Sequence, residues 1–166
     1  MTINVPENID YVNTVLSEIA SQQFNTHPLQ ASVRQAIIDS IPELHKGLKH
    51  LEIVCFGIGV TTGWWHDVKK TKTLMPLDRN VGEMIALEHS ELSEALEGYR
   101  RNTMDEHLPH RTSEEVELAD AVIRIFDHAR GRGLDITGAI IEKQLYNTVR
   151  ADHKIEARQA DGGKAI

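Results

Sequence analysis

The sequence has one cysteine, few aromatic residues and no long apolar run. The cysteine count and the lack of a long apolar run each exclude a class of protein. Because Cys55 is the lone cysteine, an internal disulfide framework is impossible, and we expect a buried, inert thiol in a reducing cytoplasm. No signal peptide and no apolar stretch of about 18 residues is present, so we expect neither export nor membrane insertion. The net charge of −7 at pH 7 argues against general nucleic-acid binding and against attachment to an anionic membrane.

Helical spacing dominates what the sequence does contain. No segment alternates apolar and polar residues over more than a few positions, and 166 residues suffice for one domain with a full-sized core. We therefore predict an all-α bundle of five or six helices, two of them begun by a proline in the first turn. The predicted helices cover residues 7–23, Pro28–Ile41, Pro42–Ile58, Val81–Arg101, Ser113–Arg132 and Asp135–Asp152. Residues 1–60 contain no chemical motif and are predicted to serve packing or an oligomer interface.

The segment Val81–Arg101 carries three glutamates, each three residues after the last. On a helix, Glu88 falls in the middle of the apolar stripe, Glu91 at its edge, and Glu94 about 60° further toward solvent. A carboxylate buried without a partner is costly or stays protonated, so Glu88 requires a cation, a hydrogen-bond donor or a metal. An ion pair with an arginine or lysine is the simplest alternative to a metal.

The segment Ser113–Arg132 offers a second acidic pair. Ser113 is the predicted N-cap, and acidic residues occupy the first turn. The apolar arc is wide and predicts burial on most sides, which leaves a narrow polar strip. This strip consists of Glu117, Asp120, Arg124, Asp127 and His128. The sequence leaves open whether the strip faces water or a lined cavity.

The two segments together present Glu88-x-x-Glu91 and Glu117-x-x-Asp120. Residues three apart share a helix face, so each helix can direct two carboxylates to a common point. Four oxygen ligands without histidine or cysteine suit a hard cation, Mg²⁺ before Mn²⁺, and such sites usually share the metal with substrate phosphates.

This pattern resembles the MazG-like, all-α nucleoside triphosphate pyrophosphohydrolases. The resemblance covers residues 61–154 and rests on three motifs of that family, E-x-x-E, E-x-x-D and K-x-x-x-N. Here they are Glu88-x-x-Glu91-Leu-Ser-Glu94-Ala, Glu117-Leu-Ala-Asp120 and Lys143-Gln-Leu-Tyr146-Asn147. Many members begin the first motif with two adjacent glutamates, and in this sequence Leu87 holds the first of those positions. The domain prediction that follows is a MazG-like catalytic core over residues 61–155, preceded by the N-terminal helices and followed by a flexible tail over residues 156–166.

The resemblance implies Mg²⁺-dependent hydrolysis of a nucleoside triphosphate to the monophosphate and pyrophosphate. One or two metal ions would be held by four carboxylates: Glu88, Glu91, Glu117 and Asp120. Glu94 would support a ligand or act as general base. The resemblance also implies a homodimer or homotetramer whose subunits jointly shape the active sites. A non-catalytic, metal-dependent nucleotide sensor would keep the same ligands, and a purely structural helical protein would leave the acids solvated.

Two further groups of residues are candidates for binding the nucleotide. Lys143, Asn147 and Arg150 align on one face of the last helix, where a solvated polar face is the alternative to contact with phosphates or sugar. Trp64 or Trp65 could stack on the base, although core packing is expected for at least one of them. Nothing in the motifs selects the base or the sugar.

Overall fold

The structure, a computed structural model, describes residues 28–67, 72–73, 79–147 and 150. The fold is all-α, as predicted, and these residues form four helices where five or six were expected for the whole chain. The helices are α1 (Pro28–Thr61), α2 (Val81–Arg101), α3 (Ser113–Gly131) and α4 (Ile136–Asn147). Between α1 and α2, β1 (His66–Asp67) and β2 (Lys72–Thr73) form a short antiparallel pair. The helix predicted over residues 7–23 and the tail over residues 156–166 lie outside the described residues.

One continuous helix, α1, replaces the two helices predicted to meet at Pro42, so that prediction was wrong. Proline removes one backbone hydrogen bond and crowds the preceding turn, which often ends a helix. Here the neighbouring residue Ile41 is only 2% exposed and packs with Ile141 and Leu145 of α4. We attribute the continuity to this packing, because it stabilises the helical turn that holds the proline.

The face of α1 that is buried also differs from the prediction. The helical spacing of Leu44, Leu48, Leu51 and Val54 predicts a buried face, but Val54 is 55% exposed and Leu44 is 36% exposed. Glu52 and Cys55 are buried instead, so the burial predicted for the thiol is confirmed. Glu52 is paired with Lys49 at 3.1 Å and with Arg130 of α3 at 3.6 Å, so the buried carboxylate is neutralised.

Side-chain caps fix where α2 and α3 begin. Asn80 caps α2 by accepting hydrogen bonds from the backbone N–H groups of Gly82 and Glu83. The N-cap of α3 is Thr112, one residue before the predicted Ser113. Thr112 and Glu115 form a reciprocal capping box, in which each side chain accepts a hydrogen bond from the other residue's backbone N–H. These caps set the register in which the acidic residues of the two helices meet.

The helix α2 buries one line of residues and exposes a second line beside it. Met84, Glu91, Ala95 and Gly98 are buried, at spacings of seven, four and three residues. Ile85, Leu92, Leu96 and Tyr99 follow the same spacings one residue later and are 43% to 66% exposed. The buried line therefore runs through Glu91, whereas the sequence placed Glu88 at its centre. On α3, Leu118, Val122 and Ile123 are also more than two-fifths exposed, so the prediction of burial on most sides was wrong for the single chain.

The chain divides into two compact units. One contains α1 up to Gly47 together with α4 from Thr137, and its core is formed by Ile41, Ile141 and Leu145. The other spans Leu48–Ile136 and contains α2, α3 and both acidic motifs. Among the described residues, no helix combines the length and the apolar character needed to cross a bilayer.

Gly98 permits the close approach of α2 to the start of α3, and we predict that Gly98→Ala destabilises the protein. A Cβ at this position would lie 2.8 Å from Ser113 Cβ and 3.0 Å from the backbone nitrogen of Glu114. We expect the free energy of unfolding to fall by about 1–3 kcal/mol, as for other overpacked sites. Gly57→Ala in α1 is the matched control, because a Cβ there meets no atom within 4 Å. It should stabilise the protein by about 0.5–1 kcal/mol. Urea unfolding measures both, and equal stability of the two variants would contradict this account of the helix contact.

Candidate functional site

Three carboxylates from α2 and α3 converge at one point. Oxygen atoms of Glu91, Glu117 and Asp120 all lie within 4.8 Å of one another. Glu91 is 5% exposed, and the other two are partly buried. Two oxygens on opposite sides of one divalent cation, each bound at about 2.0–2.6 Å, are roughly 4–5 Å apart, and neighbouring ligands are closer together. Three carboxylates at this spacing can hold one divalent cation only after their oxygen atoms move closer together.

The charges in this acidic triplet, Glu91, Glu117 and Asp120, are poorly compensated. The pKa of Glu117 is raised from 4.5 to about 7 by burial, by a hydrogen bond with Glu91, and by the charges of Glu94, Glu91 and Asp120. Burial and the charge of Glu91 also raise the pKa of Asp120, which Arg124 partly offsets. A proton on Glu117 thus relieves the repulsion, and a divalent cation would relieve it more completely.

An arginine of α3 pairs with the buried member of the triplet. Arg124 Nε lies 2.5 Å from Glu91 Oε1, and the guanidinium carbon lies 4.5 Å from the centroid of the Trp64 ring. The arginine side chain is 24% exposed. The sequence analysis gave an arginine or lysine as the alternative partner for Glu88; the structure places an arginine on Glu91.

Glu88 lies beside the triplet and has its own partner. Its Oε1 atom is 2.6 Å from Nδ1 of His128, and both side chains are mostly buried. The other ring nitrogen of His128, Nε2, is buried and has no hydrogen-bond partner in the described part of the chain. Three of the four predicted ligands thus meet directly, while Glu88 is held about 60° around α2 from Glu91.

A cleft adjoins this site, and part of the polar strip of α3 lines it. Arg124, Asp127 and His128 contribute to its wall, whereas Glu117 and Asp120 belong to the triplet, so the sequence's question is answered for the second half of the strip. The complete lining is Trp64, Arg79, Met84, Leu87, Glu88, Arg124, Asp127 and His128. The cleft therefore combines an exposed indole, two arginines and the Glu88–His128 pair within one compact unit.

The two tryptophans have different environments. Trp65 is 3% exposed, its indole N–H donates to Asp127 Oδ1 at 2.8 Å, and its ring packs against Gly131. Burial raises the pKa of Asp127, which the hydrogen bond from Trp65 partly opposes. Trp64 is 46% exposed and lines the cleft. Trp65 is thus a core residue, and Trp64 is the one that can contact a ligand.

The remaining predicted site residues lie apart from the triplet or in the other unit. Glu94 is exposed on α2, near enough for its charge to raise the pKa of Glu117. Lys143, Asn147 and Arg150 belong to the unit that contains α4. There, Lys143 Nζ and the Arg150 guanidinium lie 4.9 and 5.9 Å from the ring of Tyr146. Asn147 Oδ1 is buried and has no hydrogen-bond partner among the residues that the structure describes. Their role in substrate binding stays a prediction.

The sequence analysis gave no role to Arg79, Arg124 or His128. A signal existed for the last two, because Glu117, Asp120, Arg124 and His128 follow one another at spacings of three, four and four residues. Such spacing places all four on one face of α3. No comparable signal marks Arg79, which precedes α2 and reaches the cleft only through the tertiary fold.

Comparison of the chain with family models, with curated proteins and with solved structures gives no match. The resemblance to MazG-like enzymes therefore rests on the three motifs alone.

The raised pKa of Glu117 predicts that the metal-free protein loses stability as the pH rises from about 4.5 to about 7. Between these pH values the folded protein keeps a proton on Glu117 that the unfolded chain has released. The free energy of unfolding therefore falls as the pH rises through this range. Glu117→Gln should flatten the dependence, because the amide is neutral at every pH. Urea unfolding in EDTA measures the effect.

Asp120 and Asp127, whose pKa values are also raised, should leave a smaller slope of the same sign in the Glu117→Gln variant. Glu106→Gln is the control, since this side chain is 86% exposed in the loop between α2 and α3. It should retain the full dependence of wild type. A slope unchanged by Glu117→Gln would contradict the assignment of the proton to the triplet.

Proposed function

We propose that the protein is a Mg²⁺-dependent nucleoside triphosphate pyrophosphohydrolase, which converts a ribo- or deoxynucleoside triphosphate and water to the monophosphate and pyrophosphate. The observation that carries this proposal is the convergence of Glu91, Glu117 and Asp120, whose oxygen atoms lie within 4.8 Å of one another. The motif resemblance supports it independently, since these residues belong to the E-x-x-E and E-x-x-D motifs. The cleft beside the triplet supplies an indole and two arginines for a nucleotide.

In this proposal Glu91, Glu117 and Asp120 hold the metal, and Glu88 is the fourth carboxylate, oriented by His128. Bound Mg²⁺, for which Mn²⁺ can substitute, supplies neutralisation of the phosphate charge and a lowered pKa of the attacking water. Glu117 gives up its proton on loading, because a carboxylate ligand must be deprotonated.

The other residues of the cleft position the substrate. Trp64 stacks on the base, and the arginines of the cleft bind the phosphate chain through their planar guanidinium groups. Glu94, exposed one helical turn beyond Glu91, accepts the proton of the water. A bond forms between the water oxygen and phosphorus, the anhydride bond between the α- and β-phosphates breaks, and pyrophosphate leaves. Lys143, Asn147 and Arg150 are further proposed contacts to phosphate or sugar.

A non-catalytic nucleotide sensor is the alternative function with the same ligands. Like the enzyme, it would be stabilised by Mg²⁺ with nucleotide, but it would release no product. With one buried thiol in the whole sequence, we place either activity in the cytoplasm.

We predict that Asp120→Asn abolishes turnover while the fold is retained. Loss of a metal ligand should lower kcat by at least about a hundredfold, more than the loss of a residue that only supports a ligand. The assay incubates purified protein and Mg²⁺ with the eight common ribo- and deoxynucleoside triphosphates and quantifies pyrophosphate and orthophosphate separately. Glu88→Gln tests the fourth ligand in the same way.

Glu97→Gln is the matched control for this assay, because Glu97 lies on α2 and pairs with Arg101 at the surface. It should keep wild-type turnover. Pyrophosphate release by a folded Asp120→Asn variant at the wild-type rate would contradict the ligand assignment. Nucleotide-dependent thermal stabilisation without any product would favour the sensor.

The exposed line of α2 is the proposed contact with a second copy of the chain. Ile85, Leu92, Leu96 and Tyr99 are exposed apolar residues at helical spacing on α2, and α3 also exposes Leu118, Val122 and Ile123. Exposed apolar patches are typical of interfaces. Leu92→Glu should shift the protein to a monomer in light scattering coupled to gel filtration. Met104→Glu, at a 53% exposed apolar residue of the α2–α3 loop, should leave the oligomer intact. A monomeric wild type would contradict this proposal.

A further inference from the structure

Arg124 contacts two groups at once. Its Nε atom is 2.5 Å from the buried carboxylate of Glu91, and its guanidinium lies over the face of Trp64 at 4.5 Å. The arginine is mostly buried, and so is Glu91. Arg124 is thus the cation that compensates the acidic triplet in the protein without ligands, and it covers the indole that the cleft exposes.

In the proposed substrate complex, both groups that Arg124 contacts have another partner. Under the proposed function, Glu91 is a metal ligand and Trp64 stacks on the base. Arg124 Nε contacts Oε1 of Glu91, so a divalent cation bound at that same oxygen would repel the guanidinium. Metal binding at Oε1 would therefore displace the arginine from Glu91, and a base stacked on the ring face that Arg124 now covers would displace it from Trp64.

We infer that Arg124 is a placeholder cation, which neutralises Glu91 until a divalent cation takes that carboxylate and then binds the phosphate chain of the nucleotide. This inference rests on the proposed function and gives Arg124, one of the two arginines of the cleft, a second role in the protein without ligands. It also implies an order of events. The divalent cation first displaces Arg124 from Glu91, and the nucleotide then supplies the anion that the guanidinium binds.

The charges around the cleft support this transfer. Among the described residues that line the cleft, both acids already have a partner: Asp127 accepts a hydrogen bond from Trp65, and Glu88 contacts His128. A displaced guanidinium would therefore have to share either carboxylate with the partner that it already has. A phosphate group is the partner that its planar fork fits best, through two parallel hydrogen bonds. Arg79 lines the same cleft, so the bound phosphates would meet two arginines.

The first test measures Mn²⁺ binding to the nucleotide-free protein by electron paramagnetic resonance titration. Arg124→Gln removes the competing cation and should lower the Kd for Mn²⁺ by about tenfold, the smaller coupling expected for a close charge pair. The rise in Tm produced by saturating Mn²⁺ should also be larger than in wild type. The rise in Tm can also be measured for a variant that is less stable without metal, provided that it folds with Mn²⁺.

Two variants control this measurement. Arg101→Gln breaks another arginine–glutamate contact of 2.5 Å, at the surface of α2, and should leave Mn²⁺ affinity unchanged. Arg124→Lys keeps the positive charge and should bind Mn²⁺ with an affinity close to that of wild type. If Arg124→Gln alone fails to fold, the Mn²⁺ affinity of Arg124→Lys decides: binding about tenfold tighter than wild type would overturn the inference, and wild-type affinity would support it.

The second test measures binding of the α,β-methylene analogues of ATP, GTP, CTP and UTP at saturating Mn²⁺. Here the effect should reverse, with both Arg124→Gln and Arg124→Lys binding the preferred analogue about tenfold more weakly than wild type, because each lacks the bidentate fork. A merely structural role for Arg124 would weaken Mn²⁺ and analogue binding together.

The outcomes distinguish failure of the placeholder role of Arg124 from failure of the metal site. If wild type binds Mn²⁺ and Arg124→Gln binds it equally or more weakly, the placeholder role is overturned while the metal site stands. If the analogues bind all variants equally, the phosphate contact is overturned. If no variant binds Mn²⁺, the metal site of the proposed function fails, and the inference fails with it.

Discussion

Repulsion among three carboxylates is the constraint on which the described site depends. The packing of α2 on α3 brings Glu91, Glu117 and Asp120 within 4.8 Å of one another, in partly buried surroundings where charges are weakly screened. A proton on Glu117 and the guanidinium of Arg124 offset this repulsion in the protein alone. These two groups leave negative charge uncompensated, because three carboxylates carry more charge than one arginine compensates. A divalent cation would neutralise more of this charge.

The helix contact that creates the triplet is built from small and capped residues. Gly98 lets α2 approach the first turn of α3, and Thr112 and Asn80 fix the residue at which each helix begins. Further along, Trp65 fills the space against Gly131 and holds Asp127 by a hydrogen bond. The surrounding packing and caps leave the two helices little freedom to separate. The carboxylates are therefore held together.

Much of this arrangement follows from the sequence, for identifiable reasons. Helical spacing predicted the all-α class and the bounds of α2 and α3 to within a residue. The three-residue spacing of the glutamates and of Glu117 and Asp120 predicted carboxylates on facing helices. Periodicity could not tell the inner stripe of α2 from the outer one, since the exposed residues Ile85, Leu92 and Leu96 are more apolar than the buried line, which contains a glutamate and a glycine. For that reason the sequence placed Glu88 at the centre, where the structure has Glu91. It also could not foresee that packing of Ile41 would carry α1 past Pro42.

Proton release on metal binding would show whether the triplet is a divalent-cation site. Calorimetric titration of the protein with Mg²⁺ in buffers of different ionisation enthalpy measures the protons released. Because the pKa of Glu117 is about 7, the account predicts release of about one proton per site at pH 6 and almost none at pH 8.5. Asp120→Asn should abolish the binding heat. Mg²⁺ binding without proton release at pH 6, or no binding at either pH, would contradict the account.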